Sequence, residues 1–266
     1  MNTSRFNLSD SGSDNYEHYS PFMLPFADAV VERGNVGPGH SVLDVACGTG
    51  FVARRAAAKV GPTGRVVGLD TNAKMLDTAK RVTAGVKPEI EWHEASALEM
   101  PFTDAEFDEV LCQQGAQFFP DIAKGIAEML RVLKPEGRLV FSFWPPRAQN
   151  PFFAAREKWT HEVMPAGSMP PPNQFPSRSE FEAIVRRFDL ADINVEDVTA
   201  LVAMKPMSVE LRNSVRVFPW GRVFLDLDEG VQDAACDGMC RDLREYEQPD
   251  GTFNVPFISH VISVRK

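Results

Sequence analysis

Residues 42–50 read VLDVACGTG, and this stretch decides the fold. The apolar run SVLDVA (41–46) has strand character, the turn after it contains Gly48 and Gly50, and FVARRAAAKV (51–60) has helical periodicity. A strand that turns through glycines into a helix brings a ligand to the strand's carboxyl end. Gly48 and Gly50 carry no Cβ, so the backbone turns sharply there and comes within contact distance of a bound molecule. Asp44 interrupts an otherwise apolar strand, where a carboxylate is costly to desolvate without partners. It either holds the loop by accepting backbone N–H groups or answers a positive charge on a ligand, and the two roles are compatible.

Outward from this loop the pattern alternates. RVVGLD (65–70) is a strand, AKMLDTAKRVTA (73–84) a helix, EIEWHEAS (89–96) a strand, EFDEVLCQQG (106–115) a strand, DIAKGIAEMLRVL (121–133) a helix and GRLVFSFW (137–144) a strand. Such alternation predicts an α/β fold, a parallel sheet covered on both faces. Upstream, residues 25–33 end an apolar helix, and GNVGPGH (34–40) is a turn-rich break. After Trp144 the pattern loosens into a helix around 154–163 and the Pro-rich PAGSMPPPNQFP (165–176). A helix over 177–190, capped by Ser177 or Ser179, a strand near 193–203, mostly helical sequence and a last strand at 255–266 complete the chain. Segments 145–176 and 204–247 lie outside the alternation and are expected to form a lid over the strand ends. Residues 1–15, rich in Ser, Asp and Asn, have little to bury and are expected to be disordered, which leaves 16–266 as one domain.

Composition narrows the partners. The 266 residues are 44% apolar and 24% charged with a net charge of −9, and no Lys/Arg cluster offers the basic face that nucleic acids and anionic membranes require. No run approaches the ~20 apolar residues of a membrane span, and the first residues lack the pattern of a secretory signal, so a cytoplasmic location is expected. The four cysteines read as packed thiols; Cys236 and Cys240 share a helix face without further ligands, and no metal is expected.

Asp70 closes the second strand, beside the first loop in a doubly wound sheet, where a carboxylate accepts the ribose hydroxyls of an adenosine. GTGFVA (48–53) also fits the G-x-G-x-x-A form of a dinucleotide fingerprint, which keeps a nicotinamide-dependent oxidoreductase in view. Asp44 inside the first strand and Ala46 before the glycines count against it.

VLDVACGTG, VVGLD (66–70), ALEMPF (97–102), FDEVLCQQGAQFFPD (107–121) and LRVLKPEGRLVFSFW (130–144), in this order and spacing, resemble the class I S-adenosylmethionine-dependent methyltransferases. The nearest group is the small-molecule type 11 branch, with its ubiquinone-type and natural-product enzymes. The resemblance implies a doubly wound, mostly parallel seven-stranded sheet of Rossmann-like methyltransferase type with a helical lid. It implies S-adenosyl-L-methionine as cofactor and a small-molecule acceptor. Carried over by position, Asp44, Ala46, Cys47, Gly48 and Gly50 would cradle the methionine part, Asp70 would take the ribose, and Thr71 and Met75 would flank the adenine. Ser96 and Ala97 stand where the family commonly shows Asp-Ala, so a shorter, neutral hydroxyl replaces the usual carboxylate. Gln113 would approach the methionine end, and Tyr16 matches a Tyr in a helix that closes over the cofactor.

Methyl transfer from a sulfonium needs alignment and desolvation more than a reactive side chain. A base is needed only if the acceptor loses a proton, and His18, His93 and His161 are the imidazoles considered, with His18 best placed. Gln117 either orients the nucleophile by hydrogen bonding or pins a helix start. Phe152, Phe153, Trp159, Met164, Met169, Met204, Met207, Phe218, Trp220 and Phe224 suit an apolar or aromatic acceptor, and equally suit a lid's own core. A non-catalytic or repurposed S-adenosylmethionine-binding protein would share all these features.

Overall fold

The strands are β1 (Ser41–Val45), β2 (Arg65–Asp70), β3 (Ile90–Glu94), β4 (Phe107–Gln113), β5 (Leu133–Phe143), β6 (Ala191–Met204) and β7 (Phe253–Arg265). They form one sheet in the order β3-β2-β1-β4-β5-β7-β6. The first five strands of that order pair in parallel, and β7 runs antiparallel to both β5 and β6. These relations come from a computed structural model that describes residues 13–17, 20–168, 176–218 and 220–266. The parallel sheet expected from the alternation is present, as is the doubly wound, mostly parallel seven-stranded form that the resemblance implies.

Ten helices are described: α1 (Ser13–Tyr16), α2 (Ser20–Arg33), α3 (Phe51–Val60), α4 (Ala73–Val82), α5 (Ile122–Val132), α6 (Pro151–Val163), α7 (Arg178–Val185), α8 (Met207–Val215), α9 (Gly221–Leu225) and α10 (Glu229–Asp242). Side chains alternate across each strand, so the sheet has two apolar faces. Val42, Val66, Leu111, Val140 and Val261 pack on Ala27, Val30, Val52 and Ala56 of α2 and α3. Leu43, Val67, Val110 and Phe141 point the other way, against Ile126 and Met129 of α5 and Phe181 of α7.

A further core joins Phe152 of α6, Met207 and Leu211 of α8, and Ala235 and Met239 of α10 to Phe253 and Phe257 at the start of β7. The expected lid is therefore helical and has an interior of its own. Trp159 belongs to that interior: its indole seats on Gly238 of α10, where a Cβ would collide with it, and its Nε1 donates to Asp242 at 2.8 Å. For this residue the contacts are those of the lid's own core.

Boundaries shift where capping decides them. The helix expected over 177–190 ends at Val185; it starts at a capping box in which Ser177, and not Ser179, accepts from the Glu180 amide while Glu180 accepts from the Ser177 amide at 2.7 Å. β5 starts at Leu133, before the glycine turn that the expectation for 137–144 began on. Of the segment expected to be disordered, residues 1–12 lie outside the described residues, and Ser13–Tyr16 is helical. Met169 and Phe175 likewise lie outside them. No helix among the described residues is long and apolar enough to cross a membrane.

Candidate active site

The parallel pairing of β1 with β2 sets Asp44 beside Gly68 and leaves Asp70 next to the loop that follows β1. Asp70 Oδ2 accepts from the Gly48 amide at 2.8 Å and Oδ1 from the Asn72 amide at 2.9 Å. Asn72, not Asp70, caps α4, its Oδ1 accepting from the amides of Lys74 and Met75. Asp70 is thus not the helix cap, and its carboxylate is bonded to the loop amide of Gly48.

Helix α3 begins at Gly50, which has no side chain to cap it. Asp44 supplies that cap from the strand: its Oδ2 accepts from the Ala53 amide at 2.9 Å, and the residue is only 1% exposed. Burial, opposed by this bond and reinforced by the charge of Asp70, pushes the Asp44 carboxyl up to about 8. Burial also raises Asp70, against the amides of Gly48, Asn72 and Thr71. The Cys47 thiol, buried and facing both carboxylates, is pushed well above its ordinary value and is no thiolate nucleophile.

Three positions carry the turn. Gly48 has φ +54° and Gly50 φ +85°, and Ala46, with φ +55°, takes a left-handed conformation that a glycine would adopt more easily. Room for Ala46 comes from Gly115, where a Cβ would sit 2.5 Å from the Ala46 Cβ. A Cβ on Gly50 would meet Trp92 at 2.5 Å, and one on Gly68 would collide with the same indole. Trp92 on β3 is the floor of the loop, a role the sequence reading did not assign. Gly68 inside β2 was its signal, since glycine within a strand marks a close approach.

Over the loop lies Tyr16. Its ring centroid is 6.0 Å from that of Phe51, and a Cβ on Gly48 would be 3.9 Å from its Cε1. Burial, with the charges of Asp70 and Glu17, pushes the Tyr16 hydroxyl up to about 12. Glu17 receives Arg54 of α3 through both carboxylate oxygens, and Arg54 Nε donates to Gly50 O at 3.2 Å. This clasp also escaped the sequence reading.

Thr71 is exposed and Met75 buried at the start of α4. Ser96 is exposed and accepts from the Leu98 amide, and Ala97 is buried beside it. Gln113 Nε2 donates to Met23 O at 2.8 Å, tying the end of β4 to α2. Gln117 Nε2 donates to Gln114 O at 3.2 Å, and its Oε1 accepts from the Trp144 amide at 2.9 Å. Gln117 thus joins the exits of β4 and β5, in keeping with the pinning alternative. Neighbouring Gln114, with φ +55° and 5% exposed, donates to Ser259 and keeps a buried Oε1 that no described residue partners. His18 lies outside the described residues, His93 packs edge-on against Phe102, and His161 is exposed on α6. Among the described residues no group of three or more His, Cys, Asp or Glu could hold a metal.

The loop's charge tests the cofactor. Asp44 and Asp70 face it together, and the nearby Arg54 is engaged by Glu17. The Asp70 carboxylate suits a cofactor that carries a sulfonium and an ammonium and opposes a pyrophosphate, while Asp44, its carboxyl raised to about 8, holds the turn. The residues fit the former, and the sheet order with this loop defines a class I methyltransferase fold. The chain matches the model of the ubiE/COQ5 methyltransferase family over residues 24–207, and it belongs to that family. Membership gives S-adenosylmethionine as cofactor and sets the nicotinamide alternative aside.

The chain is 38% identical over 125 residues to a 2-phytyl-1,4-naphtoquinone methyltransferase of Trichormus variabilis, covering 46% of this chain and 54% of that one. It is 40% identical over 124 residues to a demethylmenaquinone methyltransferase of Deinococcus radiodurans, covering 47% and 51%. The chain thus spans about half the length of the curated relatives it matches. Among solved structures, a SAM dependent methyltransferase from Aquifex aeolicus aligns with TM-score 0.54 at 21% identity, covering 74% of this chain and 93% of that one. The [4+2]-cyclase SpnF aligns with TM-score 0.56 at 20% identity, covering 91% and 80%. These likenesses show the fold.

Proposed function

We propose that the protein transfers a methyl group from S-adenosylmethionine to a small apolar or aromatic metabolite. The observation that carries the reading is the joint placement of Asp44 and Asp70 against the glycine turn of a family-typical sheet. When bound, the cofactor supplies a methyl group already activated by the sulfonium charge. Asp70 binds the ribose through the lone pairs that its amide bonds leave free. The backbone of Ala46, Cys47, Gly48 and Gly50 holds the methionine part, with Asp44 fixing α3 beneath it. Thr71, Met75, Ser96 and Ala97 border the adenine, and Gln113 borders the methionine end. Tyr16, held down by the Arg54–Glu17 clasp, excludes water from the loop.

The acceptor is placed beyond the ends of β4 and β5, where aromatic side chains converge. Phe22 stacks on Trp144 with centroids 5.2 Å apart, and Phe153 lies edge-on to Trp144 at 5.3 Å. Gln117 positions the Trp144 backbone, and so acts on the acceptor through the wall it builds. Relatives named for naphthoquinone and menaquinone substrates agree with an aromatic acceptor. The test is to incubate the protein with methyl-labelled cofactor and metabolite extracts and identify what carries the label. Label on a small aromatic product, absent with Asp70→Ala, supports the reading. Label found on polar metabolites alone contradicts the acceptor class.

A further inference from the structure

Gln114 holds a hydrogen-bond acceptor that the proposed reaction leaves unused. It follows β4 directly, is 5% exposed, and has φ +55°, a left-handed conformation that is strained for a side chain of this length. Glycine or asparagine would take that conformation more easily, so the turn itself does not call for glutamine. The main chain is pinned on both sides: the Gln114 amide donates to Ser142 O at 3.0 Å, and Gln114 O accepts from Gln117 Nε2 at 3.2 Å.

The side chain is fixed at one end only. Its Nε2 donates to Ser259 Oγ at 2.8 Å, and the Ser259 hydroxyl donates onward to Phe143 O or His260 O. With its proton committed to the backbone, Ser259 calls for a donor, which sets Nε2 toward β7 and leaves Oε1 as the free end. That oxygen is buried and accepts from no described residue. A buried acceptor without a donor is costly, and a methionine would fill the same space without one. Ser41 Oγ and Glu109 Oε2 are likewise unpartnered among the described residues, but they lie near the starts of β1 and β4, at the other end of the sheet.

Gln114 stands instead at the strand exits, against the proposed acceptor wall. Gln117, bonded to Gln114 O, also holds the Trp144 amide. Ser259 shares a face of β7 with Phe257, whose ring lies 4.5 Å from that of Phe22 and 5.5 Å from that of Phe153. The carboxamide is thus held between the residues that carry two rings of the wall. We propose that Gln114 determines specificity at the acceptor site, and that the acceptor is an aromatic compound whose O–H or N–H group donates to Oε1 as the wall rings part to admit it. The inference rests on the methyltransferase reading for the position of the acceptor. A carboxamide oxygen takes donors only, so an aromatic compound without one leaves it unpaired and is rejected.

The test uses the full chain saturated with S-adenosylhomocysteine and two pairs of probes, 2-naphthol with 2-methoxynaphthalene and indole with 1-methylindole, in which methylation removes the donor. The wild type is expected to prefer the donor member of at least one pair by about tenfold, and the pair that responds shows whether O–H or N–H is read. Gln114→Met keeps the length of the side chain without its polar atoms and is expected to erase that preference, whereas a purely structural role would weaken both members of a pair together. Gln114→Asn suits a positive φ but draws the oxygen back, and is expected to retain a preference of about threefold, which decides the matter should the methionine variant not fold. Equal binding within both pairs by the wild type, a preference for the methylated members, or a preference undiminished in either variant overturns the proposal. Binding of none of the probes overturns it together with the aromatic acceptor class. If S-adenosylhomocysteine itself does not bind, the methyltransferase reading fails separately, and the two pairs are still read on the free protein.

Discussion

Asp70 and Gly48 are joined across two adjacent strands, the carboxylate of one accepting the amide of the other at 2.8 Å. The bond couples the acidic residue to the shape of the turn. Asp70→Ala is therefore expected to weaken S-adenosylhomocysteine binding by about 1–3 kcal/mol, the range for a lost charged acceptor. Calorimetry on the folded variant checks it, and an unchanged dissociation constant would take Asp70 out of the site.

Two glycines of the same region should fail in different ways. At Gly48 a new Cβ meets no described residue closer than Tyr16 at 3.9 Å, so Gly48→Ala should fold with a strain of about 1 kcal/mol and lose cofactor affinity. At Gly68 the Cβ runs into Trp92, so Gly68→Ala should lose about 1–3 kcal/mol of stability by overpacking. Urea denaturation and cofactor titration of both variants separate the effects. Trp92→Leu should partly restore Gly68→Ala, because it removes the colliding ring.

The pH dependence of stability carries the signature of Asp44. Its carboxyl is raised by folding to about 8, so the folded chain holds a proton that the unfolded chain releases near the ordinary carboxylate range. The contribution is complete below that range and is lost as pH rises toward 8. Relative to Asp44→Asn, which keeps the acceptor for Ala53, the wild type should lose up to about 1.4 kcal/mol per pH unit across the window. Asp70, raised in the same direction, adds to the wild-type slope in both proteins. Equal slopes for the two proteins would mean that Asp44 is not held protonated.

Trp159 distinguishes the lid's interior from the acceptor wall. Because its indole fills the contact between α6 and α10, Trp159→Ala should lower stability on the order of 2–3 kcal/mol, less than a fully buried Trp. S-adenosylhomocysteine affinity should stay unchanged. A variant with unaltered denaturation midpoint but altered acceptor KM would return Trp159 to the acceptor site.

The parts of the site legible in the sequence are those fixed locally. The turn from β1 into α3, the acid at the end of β2 and the order of strands through β5 follow from runs and periods within a few residues. Trp92 under Gly50, Arg54 on Glu17 and Gln117 under Trp144 depend on which strands and helices become neighbours, and no local pattern carries that. Gly68 shows the limit: its place in a strand announces a close approach but not the indole that makes it. The lid shows the converse, since Trp159 and Phe153 lie in one helix with similar surroundings in sequence, yet one turns to α10 and the other to Trp144.

The central claim is that the turn at residues 46–50, with Asp70, holds S-adenosylmethionine. Isothermal titration of the wild type and of Asp70→Ala with S-adenosylhomocysteine, with NADH as a parallel titrant, tests it most directly. The account predicts one S-adenosylhomocysteine site in the wild type, weakened by about 1–3 kcal/mol in the variant, and no site for NADH. Binding of NADH alone, or S-adenosylhomocysteine binding indifferent to Asp70, would contradict it.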